Sequence, residues 1–125
     1  METLLIPFNV SNNHWILVVV MVKDKKILLM DPFFNNNNDI GDIFIGLFQR
    51  IFKASEYNRK DWEVLSCTSQ TLGTKQVDTH NCGVLICLYA KLVALQNPLN
   101  MIKTNYANEY RQVMAWKLLQ FKLQL

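Results

Sequence analysis

The sequence is poor in the residues from which metal sites and disulfide frameworks are built. Its three cysteines, Cys67, Cys82 and Cys87, form no CxxC pair and leave one thiol over after any pairing. Only two histidines, His14 and His80, are present. A zinc site or a disulfide-stabilised secreted fold is therefore not expected, and free thiols are typical of a reducing compartment. We expect no cofactor and no metal.

Long apolar runs and blocks of like charge are also missing. The longest apolar runs, 16–22 and 84–90, are far shorter than the ~20 residues that cross a bilayer. The opening METLLIPFNV lacks the charged start and apolar core of a signal peptide. The net charge of +3 is spread along the chain and forms no basic patch of the kind that binds nucleic acid. We therefore expect an intracellular monomer of the nucleus or cytoplasm, with no membrane or nucleic-acid partner.

The residues that are present predict one compact domain with a small sheet. Half of the 125 residues are apolar, which suits a single domain spanning residues 1–125. The β-branched run ILVVVMV at 16–22 predicts a strand buried on both faces, and ILLM at 27–30 predicts a second strand. The polar KDKK at 23–26 predicts the hairpin turn between them. WEVLSC at 62–67 predicts a third strand.

Helical patterns follow the second strand and fill the C-terminal half. Apolar residues at spacings of three and four over 39–52 predict an amphipathic helix with Asp39 as its N-cap. Nearly every residue over 82–95 is apolar, which predicts a helix buried on most sides. The segment 106–121 predicts a half-polar helix packed on the outside. This order predicts an α+β domain in which a small mixed or antiparallel sheet packs against a central buried helix.

Cys82 lies where the polar stretch TKQVDTHN gives way to the predicted central helix. The structural interpretation is a small hydrophobe, since free cysteine is among the most buried residues. The functional interpretation is a nucleophile, because free backbone N–H groups and the helix dipole favour a thiolate at a helix start. Gly83 would leave the surroundings of the thiol uncrowded. Cys87, further along the helix, is expected to be structural.

A nucleophilic thiol needs a base and a group that orients the base. His14 opens the first buried strand and Asp31 ends the second, so the hairpin brings both to the same end of the sheet. A register with Lys23 opposite Lys26 places Asp31 across from Val18 rather than His14. We therefore expect a bulge or a curled approach at His14.

The reaction also needs donors for the oxyanion. Gln76 lies six residues before Cys82, where its amide could reach the same carbonyl oxygen as the backbone N–H of Cys82. His80 is a second candidate base, with Asp78 as the only obvious carboxylate nearby. Trp15 is expected to be a core residue.

These residues resemble the motif of the ubiquitin-like-protein-specific cysteine proteases of the Ulp/SENP type. That motif is an HW pair opening an apolar strand, an Asp at the end of the next strand, and a Gln some six residues before a (D/N)CG that opens a hydrophobic helix. The chain supplies, in this order, His14-Trp15, Asp31, Gln76 and Asn81-Cys82-Gly83.

The resemblance implies a papain-like cysteine protease core and a cysteine-type peptidase. By it, His14 is the general base, Asp31 orients the base, Gln76 is the oxyanion donor and Cys82 is the nucleophile. The implied reaction is cleavage after the C-terminal glycine of SUMO or another ubiquitin-like modifier. The implied partner is that modifier or its conjugates.

The chain departs from the family pattern in three places. It begins almost at IPFNVSNNHW, where family members have a further segment that helps form the channel for the modifier's Gly-Gly tail, so we expect that segment to be missing. Pro32-Phe33 stands where Ser-Leu is more usual, and His80-Asn81 replaces an aromatic-Asp pair before the cysteine. Two alternatives stay open: a non-catalytic remnant or modifier-binding module, and a polyprotein protease of mobile-element or viral type.

Overall fold

The computed structural model describes residues 3–52 and 58–124. Its four strands form one sheet in chain order. The strands are β1 (Thr3–Val10), β2 (His14–Met21), β3 (Lys26–Met30) and β4 (Glu63–Ser66). The pairs β1–β2 and β2–β3 are antiparallel, and the pair β3–β4 is parallel. The sheet is therefore mixed, and the predicted α+β fold is confirmed.

The helices pack on both sides of this sheet. They are α1 (Asn38–Phe52), α2 (Ser69–Leu72), α3 (Cys82–Ala94) and α4 (Ala107–Gln124). One core cluster includes, from the sheet and α3, Leu17, Val19, Met30, Leu85, Ile86 and Tyr89. The opposite cluster includes, from the sheet and α1, Ile16, Val18, Val20, Leu29, Ile40, Ile45 and Phe48. Alternate residues of β2 thus enter opposite cores, as the continuous β-branched run predicts.

The hairpin between β2 and β3 turns one residue earlier than the sequence predicts. Met21 pairs with Lys26, and the register continues unbroken to Leu17 and Met30. The turn therefore occupies 22–25, where Lys25 adopts a left-handed φ of 53° and its N–H donates to the carbonyl of Val22. One further step of this register places Asp31 opposite Ile16, two residues from His14. The described register contains no bulge, so that alternative was wrong, whereas the curled approach at His14 stays a prediction.

Helix α1 begins before the predicted N-cap. Asp39 lies inside its first turn, where its charge favours the helix dipole. The carbonyl of Asn37 accepts from the N–H groups of Ile40 and Gly41 instead. The N-cap prediction at Asp39 was wrong by two residues, because Asn37, whose buried side chain bonds Asp31, takes the position before the first helical residue.

Helix α4 lies on the outside, as predicted, and packs mainly through its first turns. Ala107 is buried, whereas Val113, Trp116 and Leu118 are each more than half exposed. Among the helices within residues 3–52 and 58–124, none combines the length and apolar character needed to cross a bilayer.

Candidate active site

His14 and Asp31 form a direct hydrogen-bonded pair. His14 Nε2 lies 2.6 Å from Asp31 Oδ1. The histidine opens β2, and the aspartate directly follows β3 on the adjacent antiparallel strand. Asp31 is 1% exposed, so its carboxylate depends on these partners rather than on water. The structure thus brings together the two residues that the hairpin argument placed at one end of the sheet.

Two further contacts fix the carboxylate of Asp31. The Phe33 N–H donates to Oδ1 at 2.8 Å, and Asn37 Nδ2 donates to Oδ2 at 2.9 Å. Each carboxylate oxygen therefore has a defined donor, which keeps Oδ1 toward His14. The sequence analysis did not identify Asn37, which lies between the predicted strand at 27–30 and the predicted helix at 39–52.

Phe33 also contacts His14 directly. Its ring stacks on the His14 imidazole, with centroids 4.5 Å apart and an angle of 17° between planes. The stacking restricts rotation of the imidazole ring, which Asp31 already holds through its hydrogen bond to Nε2. The sequence signal for this contact was Phe33 itself, an aromatic residue two places after Asp31 where the Ulp/SENP pattern more usually has leucine.

Cys82 is the first residue of α3, as predicted, and lies against the entry to β2. The backbone N–H of Trp15 donates to its sulfur at 3.4 Å. Because Trp15 directly follows His14, this contact brings the thiol to the same end of β2 as His14.

Trp15 covers this helix start but is not a core residue. A Cβ added to Gly83 would lie 3.8 Å from Trp15 Cδ1, so the indole passes close to the beginning of α3. Trp15 is nevertheless 40% exposed. The core prediction was wrong because the buried part of β2 begins one residue later, at Ile16.

Gln76 is buried in the loop before the helix. Its side-chain Nε2 lies 3.0 Å from both the carbonyl oxygen and Oδ1 of Asp78. Its backbone N–H donates to the carbonyl of Pro32 at 2.8 Å, which ties this loop to the segment that follows Asp31. Its Oε1 is buried and has no hydrogen-bond partner within the part of the chain that the structure describes.

His80 points outward beside the same loop. Its side chain is 68% exposed, and Nδ1 lies 3.8 Å from Asp78 Oδ1. Asp78 is turned toward the loop backbone, to which it is hydrogen bonded. The Asp31–His14 pair is less exposed and more closely bonded than the Asp78–His80 pair.

A groove runs from Cys82 to helix α4. Its volume is about 570 Å³. Its lining includes Trp15, His80, Cys82, Cys87, Arg111 and Met114. This groove gives a substrate chain room beside the thiol.

The three thiols have different surroundings. Cys67 is buried, and burial raises its pKa to about 11, which keeps it a neutral thiol near pH 7. Cys87 is exposed on the groove, so the structural role expected for it is wrong: α3 turns this position away from the sheet. Only Cys82 combines a helix start with a backbone donor to its sulfur.

Comparisons with known proteins agree on one family. Residues 1–121 match the model of the Ulp1 protease family, C-terminal catalytic domain. Human sentrin-specific protease 2 is 24% identical over 98% of this chain, which spans only 21% of that protein's length.

Two solved structures share the fold. One is the SUMO protease Ulp1 with its catalytic cysteine oxidised to a sulfonic acid, with a TM-score of 0.76 and 20% identity over 98% of this chain and 55% of that one. The other is the Ulp1 protease domain in complex with SMT3, the yeast ortholog of SUMO, with a TM-score of 0.65 and 20% identity. The second match covers 89% of this chain and 49% of that one.

Proposed function

Because the chain belongs to the Ulp1 protease family, we propose that it is a cysteine peptidase that cleaves after the C-terminal glycine of a SUMO-type modifier. The family match confirms the resemblance seen in the sequence. The observation that carries the proposal is the partly buried His14–Asp31 pair at the strand end that contacts the Cys82 thiol at the start of α3. The substrate class is supported by the related protease domain that was solved with SMT3.

The proposed reaction begins with proton transfer from the Cys82 thiol to His14. His14 uses Nε2 to bond Asp31, so Nδ1 is the ring nitrogen that takes this proton. The thiolate attacks the glycine carbonyl carbon, and the C–N bond breaks as His14 returns the proton to the leaving amine. Water then attacks the thioester, releasing the glycine carboxylate and the free thiol.

Charge builds up on the carbonyl oxygen during both attacks. The backbone N–H of Cys82 and the Gln76 amide are the proposed donors to that oxyanion. Asp31 stabilises the imidazolium that forms on His14 and holds the ring in place. The buried, fully bonded Asp31 carboxylate disfavours the remnant alternative, since a binding module has no need for it.

The test is hydrolysis of a SUMO precursor and of an isopeptide-linked SUMO conjugate. We expect both to be cleaved after the final glycine by the wild-type chain and by Cys87→Ser, and neither to be cleaved by Cys82→Ala. Full binding of SUMO without cleavage would support the modifier-binding module instead. Cleavage that survives in Cys82→Ala would reject the proposed nucleophile.

A further inference from the structure

We infer that Asp78 is a positioning residue that orients the Gln76 amide for donation to the oxyanion. The inference rests on the proposed function and assigns a role to a residue outside the family motif. Asp78 reaches the substrate only through Gln76.

Asp78 is the centre of the loop that precedes the nucleophile. Its Oδ1 accepts from the backbone N–H groups of His80 and Asn81, each at 2.9 Å, and from Gln76 Nε2 at 3.0 Å. Its Oδ2 accepts from Asn81 Nδ2 at 3.0 Å. One carboxylate therefore closes residues 76–81 into a compact turn that ends at Cys82.

The hydrogen-bond pattern also decides which end of the Gln76 amide faces Asp78. Both acceptors near Nε2 are oxygens of Asp78, and Gln76 is only 2% exposed. Rotating the amide by half a turn would set Oε1 against a carbonyl oxygen and a carboxylate, which is repulsive. Because Oε1 has no partner among the described residues, Asp78 alone fixes this choice for the side chain.

This choice matters for the chemistry, because a rotated amide presents an acceptor where the oxyanion needs a donor. Nε2 carries two hydrogens. In the proposed reacting state one hydrogen remains on Asp78, and the other is donated to the substrate oxygen. Asp78 thereby keeps Gln76 in its donor orientation before substrate arrives, so the amide does not have to turn over, and only the hydrogen bonded to the Asp78 carbonyl oxygen changes its acceptor to the oxyanion.

The charge state of Asp78 suits this role. Partial burial acts to raise the pKa of its carboxyl, but hydrogen bonds from Asn81, His80 and Gln76 outweigh it and hold that pKa well below its usual range. Asp78 is therefore a carboxylate throughout the neutral range and can only accept. Arg111 supports the same turn from α4, since it donates to Asn81 Oδ1 at 2.9 Å.

Kinetics on a cleavable SUMO precursor test the inference. We expect Asp78→Asn to lower kcat about 10-fold with little change in KM, a part of the 10²–10³ that loss of an oxyanion donor costs. In a Gln76→Ala background the same change should cost nothing further, because the group it positions is gone. Val77→Ala is the matched control, since Val77 lies in the same loop and is 88% exposed.

Alkylation of Cys82 by iodoacetamide separates positioning from loss of folding. This reaction forms no oxyanion, so its rate should be unchanged in Asp78→Asn. Unchanged kcat in Asp78→Asn, or an equal loss with and without Gln76, would overturn the inference. A parallel fall in alkylation would also overturn it, by assigning Asp78 a general structural role.

Nuclear magnetic resonance of the Gln76 side-chain amide gives a measurement that needs no substrate. We expect a slowly exchanging Nε2 pair in the wild type and fast exchange in Asp78→Ala or Asp78→Asn. If no substrate is cleaved, the proposed function fails, yet this spectrum still tests the contact. Identical exchange in wild type and both variants would contradict the contact.

Discussion

The imidazole of His14 is held on two sides. Asp31 bonds Nε2 along one edge, and Phe33 stacks on one face of the ring. The next residue along the strand, Trp15, donates its N–H to the Cys82 sulfur. The proposed base and the proposed nucleophile are thus held by adjacent residues of one strand, which is the preorganisation that proton transfer at the thiol requires.

Replacing Asp31 should disable this arrangement without unfolding the sheet. In Asp31→Asn we expect kcat to fall by about 10²-fold or more, because the amide no longer stabilises the imidazolium or fixes its tautomer. Steady-state kinetics on a SUMO precursor measure this loss, with Asp24→Asn in the hairpin turn as the control. An Asp31→Asn rate within twofold of wild type would argue against Asp31 as the orienting group.

The stacked phenylalanine should affect turnover through ring position. We expect Phe33→Ala to lower kcat by about 10-fold, since misplacement of a catalytic group is costly, and Phe33→Tyr to restore it because the ring is kept. The measurement is kcat and KM for the wild type and both variants. Equal rates for the alanine and tyrosine variants would mean that the ring itself is not needed.

The buried thiol of Cys67 predicts a pH dependence of stability. Its pKa is raised from 9.0 to about 11 in the folded chain, so the unfolded chain loses the proton first. The contribution of the Cys67 thiol to the free energy of unfolding is complete below about pH 9 and falls by about 2–3 kcal/mol as the pH rises toward 11. Urea unfolding at pH 8 and pH 10.5 should show a smaller loss in Cys67→Ala than in wild type. The exposed Cys87→Ser is the control, and equal losses in all three chains would contradict the prediction.

The residues of the site differ in how far the sequence reveals them. His14, Asp31 and Cys82 stand at strand and helix ends that apolar periodicity predicts, so their proximity follows from the hairpin and the helix start. Phe33 and Asn37 act through loop paths that no periodicity encodes. The direction of the Gln76 amide depends on Asp78, which the sequence offered only as a partner for His80.

Helix α1 shows how one element depends on another that is distant in the chain. Gly41 faces β4, and a Cβ placed there would lie 2.5 Å from Val64 Cγ1. Gly46, on the same helix, has nothing within 4 Å of that position. Both glycines lower helix propensity equally, but only Gly41 allows close approach to the sheet.

Alanine at these two glycines should therefore have opposite effects. We expect Gly41→Ala to destabilise the fold by about 1–3 kcal/mol through overpacking against the stiff valine. Gly46→Ala should stabilise it by about 0.5–1 kcal/mol through helix propensity. Chemical denaturation of both variants tests this packing, and a stabilising Gly41→Ala would show that α1 does not lie this close to β4.

Strand β1 was not predicted from the sequence, and its composition explains why. Strand β1 contains Pro7, which cannot donate to a ladder and lowers the strand signal of its segment. In the structure β1 is an edge strand that pairs only with β2, and an edge tolerates proline. Strand order and the parallel pairing of β4 come from tertiary packing, which local patterns do not specify.

In the molecule as a whole, we expect catalysis and recognition to draw on different surfaces. The proposed catalytic residues lie between β2 and α3, and this chain covers 55% of the solved Ulp1 chain. The expectation that a modifier-gripping N-terminal segment lies outside these residues stays a prediction. Remote contacts with the modifier are what place the scissile bond, so their number should govern turnover as well as affinity.

Substrate size should therefore change the rate strongly. We expect kcat/KM for a whole SUMO precursor to exceed that for a short peptide with the same Gly-Gly sequence and the same residues after it by about 10²-fold or more, since about 3 kcal/mol of positioning is gained. Parallel kinetics on the two substrates measure this ratio. A ratio near one would mean that the chain recognises the tail alone.

Mapping the covalent product formed with a SUMO-type modifier that carries a vinyl sulfone in place of its terminal glycine carboxyl tests the proposed active site directly. Mass spectrometry of the digested adduct at neutral pH should locate the modifier on Cys82, with no adduct in Cys82→Ser and a normal adduct in Cys87→Ser. His14→Ala should slow the labelling because the thiol then lacks its base. Labelling at Cys67 or Cys87, or labelling of Cys82 that does not depend on His14, would contradict the central claim that these residues form the catalytic site.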